Sequence, residues 1–126
     1  MAESIRRYFM TLPKAQSGVR CTRHVWDPAA DVYRTREGWM VKFELAGVAP
    51  DELEIRIEGN TLSVAGVRRD ETFSESVSCQ QLEITYSRFE RAISFPCPIE
   101  GAVVERRYKD GLLILHLRSP EECDGA

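Results

Sequence analysis

The side chains able to do chemistry in this chain are few and scattered. Cys21, Cys79, Cys97 and Cys123 stand far apart, with no C-x-x-C pair among them. Only His24 and His116 accompany them, so the sulfur and imidazole set that holds zinc is missing at every usual spacing, and no metal is expected. The four cysteines read as reduced thiols in a reducing compartment, although Cys79 and Cys123 lie in polar stretches that are chemically open to oxidation. His24 falls in a linker. His116 alternates with leucines and should face outward, and neither histidine has a Cys or Ser at motif spacing to activate. Glu71 and Glu75 sit in a polar run and read as solvated carboxylates. There is no P-loop, no G-x-G-x-x-G and no G-x-S-x-G. The chain therefore reads as a binding protein, not an enzyme, working without cofactor or ATP.

Composition narrows the partners. The 126 residues argue for one domain, and 43% hydrophobic with 29% charged residues is ordinary for a globular chain. A net charge of −3, from 17 basic and 20 acidic residues, gives nucleic acid no basic surface to bind. No apolar run approaches the roughly 20 residues that cross a bilayer, and no membrane partner is expected. The opening stretch "MAESIRRYFMTLPK" lacks the unbroken apolar segment of a signal peptide, so a cytoplasmic location is expected.

Between Asp31 and Arg118 the dominant period is two. "DVYR", "WMVKFEL", "LEIRIEG", "TLSVAGV", "LEITYSR", "FERAISFP", "VERRY" and "LLILHL" are short runs separated by turn formers. Strands so spaced predict an all-β, antiparallel sandwich. Leu53, Ile55 and Ile57 share one face, and Gly59-Asn60 turns the chain toward Leu62 and Val64. Each large apolar side chain buried in this way contributes about 1.5–3 kcal/mol. Leu113, Leu115 and Leu117 should face the core. Leu112 and Ile114 then fall on the outer face, to be covered by the head of the chain or by a partner.

Two stretches break the alternation. "RRDETFSESVSCQQ", residues 68–81, reads as a long loop, which in a compact domain is functional or mobile. In the head, Ile5, Tyr8, Phe9 and Leu12 recur at helical spacing, with Ser4 placed to cap and Pro13 to stop a short helix. A helix so short forms only when docked, on its own sandwich or on something else.

Three stretches together resemble the small heat-shock protein family, whose shared unit is the alpha-crystallin domain. They are "ADVYRTREGWMVKFELAGVAPDELEIRIEGNTLSVAGVRR", "LEITYSRFERAISFPCPIEGAVV" with its Phe89-x-Arg91 and Phe95-Pro96, and "YKDGLLILHL". The match runs from about Trp26 to Arg118. The resemblance implies an immunoglobulin-like β-sandwich at 26–118, which leaves an arm at 1–25, expected to be partly helical or disordered, and a short acidic tail at 119–126, expected to be disordered. It further implies a two-fold homodimer of the bacterial, archaeal and plant type, in which the long loop lends a strand to a second protomer. Here Leu82, Glu83 and Ile84 would pair with Asp31, Val32 and Tyr33, and Arg91 would form an ion pair near that interface or remain an ordinary strand arginine. Such exchange covers an edge strand that would otherwise be left unpaired.

Two departures from the family stand out. The tail "RSPEECDGA" has no I-x-I motif to plug the groove between Ile55 and Ile57 on one strand and Val104, Arg106 and Tyr108 on another. Arg106 also stands where the family carries a small residue. Loss of both plug and socket would leave dimers or small oligomers. Ala46 replaces the family's proline in L-P-G-V, which should loosen that turn without changing the fold. The function expected from the resemblance is an ATP-independent holdase chaperone. It would grip partly unfolded clients through Ile5, Tyr8, Phe9 and Leu12, and through the groove residues Ile55, Ile57 and Val104. The alternative is an adaptor or co-chaperone module that binds one folded partner.

Overall fold

The computed structural model describes residues 26–71 and 78–119. Seven strands follow one another: β1 (Ala30–Thr35), β2 (Gly38–Glu44), β3 (Glu54–Glu58), β4 (Thr61–Val67), β5 (Arg88–Ser94), β6 (Val103–Lys109) and β7 (Leu112–Arg118), with one 3-10 turn at Pro50–Glu52. They form a four-stranded sheet in the order β1-β2-β7-β6 and a three-stranded sheet in the order β3-β4-β5, antiparallel throughout. The expected all-β sandwich is what the chain builds.

Alternation sets which residues enter the core. Val41 and Phe43 on β2, Leu62 and Val64 on β4, Phe89 on β5, and Leu113, Leu115 and Leu117 on β7 form one buried cluster with Leu45, Phe95 and Ile99. Since successive side chains on a strand alternate between faces, a shift of one residue in any of these strands would expose its whole apolar row. Trp39 closes one end of the cluster, its ring 4.9 Å from that of Phe95.

Turn chemistry holds the register. Lys109 faces Leu112 across the last hairpin, so Asp110 and Gly111 are its two central residues, with φ of 54° and 82°. Two positive φ values define the turn that matches strand twist. In the β3–β4 hairpin Glu58 faces Thr61, and Gly59 takes the positive φ, 61°, at the first central position. That turn is bonded to the stretch after β5: the Phe95 and Ile99 amides donate to the Asn60 and Gly59 carbonyls at 2.8 and 2.9 Å.

The structure departs from the sequence pattern first at "LEITYSR", which is not a strand. Strand β5 begins only at Arg88, and residues 82–84 make no backbone hydrogen bond to the sandwich among the described residues. A β-prone sequence becomes a strand only beside a partner edge, and among the described residues this stretch has none. The second correction concerns sulfur. Cys79 and Cys97 are disulfide-bonded, so they are not the reduced thiols expected, and the reducing compartment loses the support it drew from them. Disulfides depend on how closely the fold brings two Cα atoms together, which spacing in the sequence does not reveal.

Leu112 and Ile114 do lie on the outer face and are half-buried. Their cross-strand neighbours are Glu44 and Lys109 for Leu112, and Lys42 and Arg107 for Ile114. Long charged side chains flank the pair, and their aliphatic stems can shield it without a head helix. The predicted helix with Ile5, Tyr8, Phe9 and Leu12, together with His24, Glu75, Cys21, Cys123 and the tail beyond Ser119, lies outside the described residues. Among the described residues no helix is long and apolar enough to cross a membrane.

Candidate functional site

The two sheets leave four edge strands, β1 and β6 on one, β3 and β5 on the other. The β1/β5 side is bridged by residues 26–29. Pro28 is fully buried there, and its carbonyl accepts a 2.7 Å bond from Arg91 Nη1, while the Glu44 amide donates to the Ala29 carbonyl at 3.0 Å. Within one chain Arg91 thus fastens the run into β1 against β5, a backbone contact that neither expectation for this residue included.

Beyond that bridge the outer edge of β1 is unpaired among the described residues. Val32 and Tyr33 are each 42% exposed, large apolar side chains on a strand with an open ladder. Val32 faces Val41 across the ladder and Tyr33 faces Met40, so the edge presents apolar groups to both faces. Lys42 Nζ lies 5.5 Å from the centre of the Tyr33 ring. The predicted donor segment has the complementary defect. Ile84 is 61% exposed, and Glu83 accepts a hydrogen bond from Gln81, not from either sheet. The structure therefore holds one apolar edge and one apolar segment, both without a backbone partner among the described residues. An edge of this kind is a template for pairing with another chain.

The residues expected to line a groove lie on the other two edge strands, β3 and β6. Register places Val104, Arg106 and Tyr108 opposite the buried Leu117, Leu115 and Leu113, so all three face inward as alternation predicts. Ile55, Ile57, Val104 and Tyr108 are partly buried against the core. Arg106 Nη2 donates to the Pro50 carbonyl at 2.9 Å, in the turn that leads into β3, and Tyr108 Oη donates to the Leu45 carbonyl at 2.8 Å, just after β2 of its own sheet. The guanidinium of Arg106 stays exposed while its stem runs across the groove, the snorkelled arrangement that keeps its charge hydrated. On the outer face of the three-stranded sheet a hollow of about 210 Å³ is lined by Glu54, Arg56, Ser63, Ala65 and Glu90. His116 faces outward between Met40 and Glu105, as expected. Among the described residues no three His, Cys, Asp or Glu side chains are grouped to hold a metal ion.

Sequence reasoning missed Arg68 and Trp26. Arg68 Nε and Nη2 both donate to the Thr85 carbonyl, at 2.9 and 2.7 Å, and its guanidinium stacks 3.6 Å from the Trp26 ring centre. Burial pushes its pKa below the ordinary value, opposed by nearby Tyr86 and Glu44. The signal available in the sequence was only a basic pair after a strand, which is no signal of position.

Comparison with known proteins agrees with this architecture. The Hsp20/alpha crystallin family model matches residues 31–124. Small heat shock protein C2 of Rickettsia felis is 26% identical over 117 residues, covering 93% of this chain and 72% of that protein. Spore protein SP21 of Stigmatella aurantiaca is 34% identical over 95 residues, covering 75% of this chain and 56% of that protein. Heat shock protein 16.0 from Schizosaccharomyces pombe superposes with a TM-score of 0.68 at 24% identity, covering 76% of this chain and 89% of that structure. HspA from Xanthomonas axonopodis superposes with a TM-score of 0.64 at 21% identity, covering 77% and 97%. At those identities the two superpositions speak for the fold alone.

Proposed function

Since the chain belongs to the Hsp20/alpha crystallin family, we propose that it is an ATP-independent holdase, which binds partly unfolded proteins and prevents their aggregation as a strand-exchanged homodimer. Residues 82–84 would leave their own sandwich and complete the β1 edge of a second copy at Asp31, Val32 and Tyr33. The observation that carries this reading is the pair of matching defects, an apolar edge at Val32 and Tyr33 and an Ile84 that is 61% exposed, both without a backbone partner among the described residues. Pairing them would satisfy backbone groups on both and remove apolar surface from water.

Clients would be held through apolar surface that dimerisation leaves open: Ile5, Tyr8, Phe9 and Leu12 of the arm, and Ile55, Ile57 and Val104 of the groove. Aggregation proceeds through transiently exposed apolar chain, and a surface that captures it competes with self-association. No nucleotide site is required, because capture and release follow the relative affinities of the partners.

The assay is light scattering of a heat-labile client with the full-length protein added. Suppression is expected near stoichiometric ratios and should weaken on deletion of residues 1–13. Undiminished scattering at several-fold excess would remove the holdase reading and favour an adaptor that recognises one folded partner.

A further inference from the structure

Arg68 lies where three separate stretches of chain meet. It follows the last residue of β4, and its own amide donates to the Ser87 carbonyl at 3.0 Å, closing the neck of the 68–87 excursion. Its side chain doubles that closure with the bonds to Thr85. Nη1 reaches the Ala46 carbonyl at 3.2 Å in the β2–β3 link, where the stem passes so close that a Cβ on Gly47 would stand 3.3 Å from Arg68 Cδ. Beneath the guanidinium lies Trp26, which leads toward β1. The Trp26 amide donates to Ser87 Oγ at 3.0 Å, and its ring meets that of Phe89 edge-on at 5.0 Å and 69°.

We propose that Arg68 couples the run into β1, residues 26–29, to the excursion: Trp26 shields the guanidinium that aims Thr85 and the residues before it, so displacing Trp26 loosens segment 82–87. The proposal rests on the strand-exchange reading for its consequence, since Thr85 directly follows the segment assigned to the second protomer. The physical steps are local. A planar guanidinium can stack on an indole while Nε and Nη2 converge on one carbonyl oxygen, a fixed fork that an ammonium lacks. Stacked on the ring, it is partly desolvated, and its bonds to Thr85 are strengthened by the lower local dielectric. Removing the indole admits water to those bonds and weakens the aim of the segment. Coupling of this kind is reciprocal, so loosening the excursion must also loosen Trp26.

The test is hydrogen exchange of full-length protein, read at the amides of residues 26 and 68, which both donate to Ser87, alongside tryptophan emission in a Trp39→Phe background. Trp26→Ala should speed exchange at those amides by about tenfold, and Arg68→Lys and Arg68→Met should do the same. Both Arg68 variants should shift Trp26 emission to the red, and the double variant should exchange no faster than either single one. Unchanged exchange at those amides in Trp26→Ala, or additive effects in the double variant, would overturn the coupling. If Trp26→Ala unfolds the sandwich, seen as fast exchange throughout β2 and β7, emission of Arg68→Met decides, and an unshifted spectrum refutes the proposal. Subunit exchange between labelled protomers is followed in parallel. Wild-type chains that never exchange would refute the strand-exchange reading while leaving the coupling to the amides. Chains that exchange at the wild-type rate in Arg68→Met would refute the consequence drawn here.

Discussion

Arg106 donates from Nη2 to the carbonyl of Pro50 at 2.9 Å, joining the inward face of β6 to the 3-10 turn that leads into β3. The bond runs from the edge of one sheet to the threshold of the other, where we propose a groove lined by the partly buried Ile55, Ile57 and Val104. Both ends are solvent-exposed, so the bond itself stabilises little. Its effect is steric, because the stem occupies space that an incoming side chain would need.

Arg106→Ala should therefore open the groove. A fluorescent peptide with alternating isoleucines is expected to bind the variant about tenfold more tightly than the parent, as read by anisotropy. Equal affinities would mean that the stem moves aside at no cost and does not set what the groove admits.

Tyr108 tests a bond within the four-stranded sheet's end, between β6 and the residue after β2. Its hydroxyl satisfies the Leu45 carbonyl at 2.8 Å, so Tyr108→Phe leaves that acceptor without this donor. A loss of about 1 kcal/mol is expected in urea unfolding. Leu115→Ala, which hollows a site with no exposure at all, should cost about 2–5 kcal/mol by the same measurement.

The last hairpin makes a sharper claim about backbone shape. Gly111 has a φ of 82°, and a Cβ there would stand 3.0 Å from that of Ala46. Gly111→Ala combines backbone strain with a close contact, and should lower stability by about 1–3 kcal/mol. Adding Ala46→Gly to that variant should recover part of the loss, since it removes the carbon that the introduced methyl group would meet. No recovery would assign the whole cost to φ.

Legibility followed locality. The hairpin at Gly59-Asn60 and the inward rows of β4 and β7 depend on neighbours in sequence, so pattern alone foretold them. The inward placement of Val104, Arg106 and Tyr108 was legible for the same reason. What escaped were meetings that only the packed sheets create: Arg68 with Trp26 and Thr85, Arg91 with Pro28, and Arg106 with Pro50. A lone arginine has a reach of several ångströms and no preferred direction in sequence. Residues 82–84 failed differently. Their β-forming composition is plain in the sequence, but composition cannot say whether the partner edge belongs to the same chain.

The cysteines give a chemical check. Cys79 and Cys97 are disulfide-bonded, so alkylation of the denatured, unreduced protein should leave both unmodified, and alkylation after reductant should modify both. Reduction should also lower the thermal midpoint, because the unfolded chain regains entropy that cross-linking had removed. Modification of either residue before reduction would contradict the oxidised state.

Whether residues 82–84 complete the β1 edge of a second copy is decided by hydrogen exchange at the β1 amides across a dilution series, with mass followed by sedimentation in the same samples. Strand exchange predicts a dimer whose β1 amides are protected at high concentration and lose protection as it dissociates, with Ile84→Pro monomeric and unprotected throughout while β2 and β7 stay slow. Identical β1 exchange at every concentration, or a dimer that Ile84→Pro leaves intact, would contradict it.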